Sequence, residues 1–157
     1  MTKKVWYAPN KFESYGEEEI KAVEACLRDG WLAGFGDRTI EFEKRVADLF
    51  GKKHGLFVNS GSSAILLGLC GLDLPKGSEV ITPACGFSTT VAPLMQLGLK
   101  PVFCDVGLNS YVPTVEQLKK VVTPDTKCLI LPNLIGNIPD WPAIREAFPD
   151  LILFEDS

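Results

Sequence analysis

From residue 55 onward, apolar and polar positions fall into a repeating cycle of short apolar runs and longer stripes with helical spacing. The pattern predicts strands over 56–58, 79–82, 102–105, 128–131 and 151–154, separated by helices over 63–72, 89–97, 114–122 and 140–148. Strands alternating with helices mean a mostly parallel sheet fed by right-handed βαβ connections, with helices on both faces: a three-layer αβα body. The run Ala64-Ile65-Leu66-Leu67-Gly68-Leu69-Cys70 is apolar on all sides, which suits a helix inside a larger body. The last strand, Leu151-Ile152-Leu153-Phe154, is apolar throughout and has no helix after it, so the sequence reads as the front portion of a longer protein.

Before the alternating region the pattern is helical. Ser14-Tyr15-Gly16-Glu17 has capping-box spacing, and Ile20, Val23, Ala25, Cys26 and Leu27 then form an apolar stripe that stops at Gly30. An aromatic loop with three nearby glycines, Trp31-Leu32-Ala33-Gly34-Phe35-Gly36, either packs on something of consequence or lets Trp31 plug the edge of the core. A second helix is expected over 37–50, with Ile40, Phe42, Val46, Leu49 and Phe50 on the buried side. Thr114-Val115-Glu116-Gln117 is a further capping box. The organisation expected is a helix-and-loop segment over 1–36, followed over 37–157 by the first part of a larger α/β domain.

Composition narrows the function. With 157 residues and 46% apolar side chains, the chain is large enough to bury a core. A net charge of -4 without a basic stripe argues against nucleic acid and anionic membranes as partners. No apolar run reaches the roughly 20 residues of a bilayer span, and no signal-peptide pattern follows Met1, so the cytoplasm is the expected compartment. Five scattered cysteines read as reduced, mostly buried thiols. A single histidine, His54, leaves no material for a metal site or a His-based triad.

Candidate chemistry lies at the carboxyl ends of the strands, where open α/β sheets bind ligands. The turn Asn59-Ser60-Gly61-Ser62-Ser63-Ala64 opens a helix and offers Gly61 for close backbone approach, with hydroxyls beside unpartnered N–H groups. It is either a phosphate cradle or a helix cap supplied by Ser60 or Ser62. In Pro83-Ala84-Cys85-Gly86-Phe87-Ser88-Thr89-Thr90, Phe87 either stacks on a flat ligand or staples a helix capped by Ser88. Asp156, ending a buried strand, either faces a cation or caps a following helix. A phosphate cradle, a stacking ring and a carboxylate together suit pyridoxal phosphate, whose pyridine nitrogen works protonated beside an aspartate.

The same residues carry a resemblance. Phe42-Glu43 with Phe50-Gly51, the 59–64 turn, Gly77-Ser78-Glu79-Val80-Ile81-Thr82-Pro83, Pro101-Val102-Phe103-Cys104-Asp105-Val106 and Phe154-Glu155-Asp156-Ser157 occur in an order and spacing that resembles the DegT/DnrJ/EryC1/StrS sugar aminotransferase family. The resemblance implies the aspartate aminotransferase-like (type I) fold of pyridoxal phosphate enzymes and a homodimer with active sites at the subunit interface. It also implies nucleotide-linked keto-sugars as substrates and pyridoxal or pyridoxamine phosphate as cofactor. Matched residue by residue, Gly61, Ser62 and Ser63 fall at phosphate-binding positions, Phe87 at the ring-stacking position and Asp156 at the pyridinium partner. The Gly61-Ser62-Ser63-Ala64 turn, Gly86-Phe87-Ser88-Thr89-Thr90-Val91 and Leu134-Ile135-Gly136-Asn137 look more like the family's deoxysugar 3-dehydratase branch, in which a histidine replaces the Schiff-base lysine. That deciding position is expected beyond Ser157, so no catalytic residue is assigned within the chain, and the chain alone is expected to be inactive. Transamination is the first expectation and 3-dehydration its alternative; a Rossmann-like phosphate- or nucleotide-binding module is the rival of another class, weakened by the absence of G-x-G-x-x-G.

Overall fold

The computed structural model describes residues 15–157. The chain divides into two compact units, with the division in sequence between Phe57 and Val58.

In the first unit, helix α1 spans Glu17–Asp29 and helix α2 Asp37–Leu49. Ser14 lies outside the described residues. The cap of α1 is Gly16, whose N–H donates to the Glu19 carboxylate at 2.7 Å, and three glutamates in the first turn complement the helix dipole. Gly30 ends the helix at φ 74, returning its N–H to the Cys26 carbonyl. The apolar side expected to be buried on α2 is not: Leu49 is 78% exposed, Phe50 65%, and Ile40 and Phe42 stand in solvent as well, while Ala47 is the residue buried. Among the described residues of this unit nothing covers that stripe.

The strand expected over 56–58 is also absent. That segment joins no ladder; it is held to α2 instead, where Glu43 accepts the Phe57 N–H at 2.8 Å and the Phe42 and Phe57 rings meet edge to face at 5.2 Å. Gly55 is needed there because a Cβ would sit 2.6 Å from the Glu43 carbonyl oxygen.

The second unit is the α/β body. Helix α3 (Gly61–Gly71) leads to β1 (Glu79–Pro83), α4 (Ser88–Gln96), β2 (Lys100–Cys104), α5 (Val115–Lys119), β3 (Thr126–Pro132), a 3-10 turn (Leu134–Gly136), α6 (Trp141–Ala147) and β4 (Ile152–Asp156). The four strands are parallel in the order β2-β1-β3-β4. Alternate residues of each strand face opposite layers, as the pleat requires. Val80, Cys128 and Ile130 pack with Ile65 and Leu69 of α3 and Leu94 of α4, whereas Ile81, Leu129 and Leu131 pack with Leu118 of α5 and Ile144 of α6. The result is the expected three-layer αβα arrangement, and β3, inside the sheet and covered on both faces, carries a continuous apolar run from Cys128 to Leu131.

Two local features fix its edges. Gly68 of α3 lies so close to the Phe154 ring of β4 that a Cβ would come within 2.6 Å of it. At the amino edge, the Gly77 N–H donates to the Gly98 carbonyl at 2.8 Å, joining the turns that lead from α3 into β1 and from α4 into β2. Both helices therefore run against the strands and direct their amino ends to the carboxyl edge of the sheet. The Thr114 capping box forms as expected: Thr114 Oγ1 accepts the Gln117 N–H and Gln117 Oε1 accepts the Thr114 N–H. Of the five cysteines only Cys104 and Cys128 are buried, fewer than the sequence suggests, because Cys70 and Cys85 fall on solvent-facing positions of α3 and of the loop after β1.

Candidate functional site

The carboxyl edge of the second unit collects the residues singled out in the sequence. Ser60 caps α3 in an extended conformation, its hydroxyl accepting the Ser63 N–H at 3.1 Å and donating to Ser63 Oγ at 3.0 Å. The capping role is thus real. It does not fill the helix start, because the Gly61 and Ser62 N–H groups have no intrahelical acceptor and the Ser63 hydroxyl, which receives from Ser60, keeps its own proton to give. A Cβ on Gly61 would meet nothing within 4 Å, so open space lies over this turn.

Phe87 leaves the loop after β1 and is itself the cap residue of α4, so Ser88 is the first helical residue rather than the cap. The Phe87 ring is 68% exposed and does not act as a packed staple. One helical turn later, Thr90 is 2% exposed, and its hydroxyl donates to Asp156 Oδ2 at 2.9 Å. Asp156 ends β4 half-buried, and its carbonyl accepts the Asn133 N–H at 2.8 Å. The Asn133 side chain donates to Glu155 Oε1 at 2.7 Å and to Ser157 Oγ at 2.8 Å, while its Oδ1 is buried without a partner. Beside it, Ile135 adopts φ 53 and ψ 36, a left-handed conformation that a β-branched residue rarely holds; strain of this kind gathers at functional loops.

The structure therefore brings together Asp156, Thr90 and the first turn of α4 that Phe87 caps, and it sets the start of α3 along the same sheet edge. Sequence reasoning gave Thr90 no role, although its spacing of one helical turn after Phe87 was the available signal. Burial pushes the Cys104 thiol up and the Cys128 thiol up to about 12, so neither supplies a thiolate. Among the described residues no cluster of histidine, cysteine and carboxylate side chains is arranged to hold a metal, and no helix is long and apolar enough to cross a membrane. The first unit carries a cavity of about 640 Å³ lined by Cys26, Asp29, Trp31, Phe35, Arg38 and Thr39, with Trp31 Nε1 donating to the Phe35 carbonyl at 2.7 Å.

A parallel sheet between two helix layers is the fold the resemblance implies, and comparison with known proteins decides the family. The model of the DegT/DnrJ/EryC1/StrS aminotransferase family matches residues 13–157. The chain belongs to this family. Among its DegT/DnrJ/EryC1/StrS relatives, GDP-4-keto-6-deoxy-D-mannose 3-dehydratase of Escherichia coli O55:H7 is 35% identical over 157 residues, covering 95% of this chain and 40% of that protein. The dTDP-4-dehydro-2,3,6-trideoxy-D-glucose 4-aminotransferase of Saccharopolyspora spinosa is 33% identical over 146 residues, covering 90% of this chain and 38% of that protein. The fold matches the E. coli GDP-4-keto-6-deoxy-D-mannose-3-dehydratase solved with bound hydrated PLP, at a TM-score of 0.87 and 35% identity, over 92% of this chain and 39% of that one. The chain thus spans about 40% of the length of the relatives it matches.

Proposed function

We propose that the chain forms the cofactor-facing part of a pyridoxal phosphate-dependent enzyme acting on nucleotide-linked keto-sugars, with transamination as its reaction. The observation that carries this reading is the Asp156 carboxylate, half-buried at a strand end and gripped by Thr90, on the same sheet edge as an open helix start. The donor set fits the cofactor. Gly61, Ser62 and Ser63 would hold the phosphate through helix-start N–H groups and the free Ser63 proton, and the missing Cβ at Gly61 leaves room for close approach. Phe87 would cover one ring face, and Asp156 would keep a proton on the ring nitrogen. When bound, the cofactor supplies an electron-withdrawing ring to a substrate attached through nitrogen. What this chain does is bind the phosphate, orient the ring and hold the nitrogen proton in place.

A second reading, 3-dehydration of the sugar, is favoured by the 3-dehydratases among the relatives, including one from Saccharopolyspora spinosa at 42% identity over 129 residues. Association as a homodimer and residence in the cytoplasm belong to the same proposal. The exposure of the apolar side chains Val23 and Leu27 on α1 and of Leu49 and Phe50 at the end of α2 supports the first, and five unpaired cysteines support the second.

Titration of the chain with pyridoxamine phosphate, followed by cofactor fluorescence, tests the reading. Binding is expected to weaken when the phosphate is omitted from the ligand, with Phe87→Ala and with Asp156→Asn. No binding at millimolar ligand, or binding indifferent to all three changes, overturns it.

A further inference from the structure

Thr90 is nearly inaccessible, yet its hydroxyl is not spent inside its own helix. A threonine within a helix commonly returns its hydroxyl to a carbonyl one turn back; here the proton goes across to Asp156 Oδ2 at 2.9 Å, joining residues 66 positions apart. The hydroxyl has one proton to donate, and it goes to one of two carboxylate oxygens. The backbone at the same point is fixed independently, since the Asp156 carbonyl accepts from the Asn133 N–H. Main chain and one carboxylate oxygen are thus both anchored, which leaves Oδ1 as the oxygen without a donor among the described residues.

The place of Thr90 in α4 gives this contact a second consequence. Thr90 donates its own N–H to the Phe87 carbonyl at 3.0 Å, so a single turn of helix connects the exposed aromatic to the carboxylate's holder. A β-branched side chain has few rotamers available in a helix, and the buried hydroxyl therefore has little freedom to leave Asp156.

We infer that Thr90 is a positioning residue: it holds Oδ2 of Asp156 so that Oδ1 is presented to the protonated ring nitrogen of the cofactor, in register with the ring-covering Phe87. The inference rests on the cofactor reading above and assigns within it a role to a residue that never touches the ligand. Its effect is confined to the nitrogen. Loss of the Thr90 hydroxyl should weaken recognition of a ring carrying that nitrogen and leave recognition of the phosphate alone.

The test compares binding of pyridoxamine phosphate with binding of its 1-deaza analogue, in which C–H replaces the ring nitrogen, for the full chain and for Thr90→Val and Thr90→Ser. The wild-type chain should prefer pyridoxamine phosphate. Thr90→Val should reduce that preference by roughly tenfold, the order expected for losing a hydrogen bond to a charged group, with inorganic phosphate affinity unchanged. Thr90→Ser, which keeps the donor, should retain most of the preference. A purely structural role would lower both affinities together and leave their ratio intact, and that outcome overturns the inference while sparing the cofactor reading. Binding of neither compound by the wild-type chain overturns both. Should Thr90→Val fail to fold, the wild-type chain crystallised with pyridoxamine phosphate decides: Oδ2 kept on Thr90 with Oδ1 at the ring nitrogen supports the role, and a carboxylate turned away from Thr90 ends it.

Discussion

The most informative perturbation of the helix start is Ser60→Ala. In the structure Ser60 Oγ accepts the Ser63 N–H at 3.1 Å and donates to Ser63 Oγ at 3.0 Å, so alanine removes one cap acceptor and one hydroxyl pair at the first turn of α3. Loss of a serine cap costs about 1 kcal/mol, roughly a fivefold rise in the opening equilibrium of the helix. Native-state hydrogen exchange of the α3 amides reads this directly, with Ser60→Gly as a comparator expected to cost only a few tenths of a kcal/mol. The freed Ser63 N–H then becomes an extra donor for an anion. Phosphate at ten times its dissociation constant stabilises the binding-competent state by about 1.4 kcal/mol, and the alanine variant should gain at least as much protection as wild type. Unchanged exchange in Ser60→Ala would refute the cap, and exchange insensitive to phosphate in both proteins would refute the anion site.

Three further outcomes follow from the body of the fold. Leu129→Ala, at a fully buried position in the middle of the sheet, should cost about 2–5 kcal/mol in urea unfolding followed by Trp141 fluorescence, since Trp141 packs on the same cluster. Glu79 is held below its ordinary 4.5 by hydrogen bonds from Lys100 and Thr123, and Lys100 is raised above 10.5 by Glu79. Their contribution to stability should therefore be level between those two values, fall as acid titrates Glu79 through its lowered pKa, and fall as base titrates Lys100 through its raised one; a Glu79→Gln variant with the same acid limb as wild type contradicts this. Thiol labelling at pH 8 should modify Cys70 and Cys85 in the folded chain and reach Cys104 and Cys128 only after unfolding, as mass mapping of the labelled cysteines would read.

What the sequence makes legible is what short-range pattern encodes. In strand β3 the run Cys128 to Leu131 is continuously apolar because helices cover both faces, and such a run can be read directly. The run at 56–58 looks the same on paper, but a strand requires a partner, and periodicity does not say whether one stands beside it. The apolar stripe of α2 likewise announces that it wants covering without saying what covers it, and in this unit Leu49 and Phe50 remain in solvent. At the candidate site, Ser60, Phe87 and Asp156 were visible because each sits where an element starts or ends. The Thr90 contact with Asp156 was not, because it exists only once α4 and β4 are stacked by the sheet topology. Nor could the sequence show that Ser60 caps α3 while leaving a proton on Ser63; that depends on which oxygen donates to which.

One edge of this sheet is proposed to hold pyridoxal phosphate. A crystal structure of the chain grown with pyridoxamine phosphate tests it most directly. The phosphate should lie on the N–H groups of Gly61 and Ser62 and the Ser63 hydroxyl, the ring against Phe87 and the ring nitrogen at Asp156. A cofactor bound elsewhere, or a phosphate on that helix start with the ring pointing away from Asp156, would contradict it.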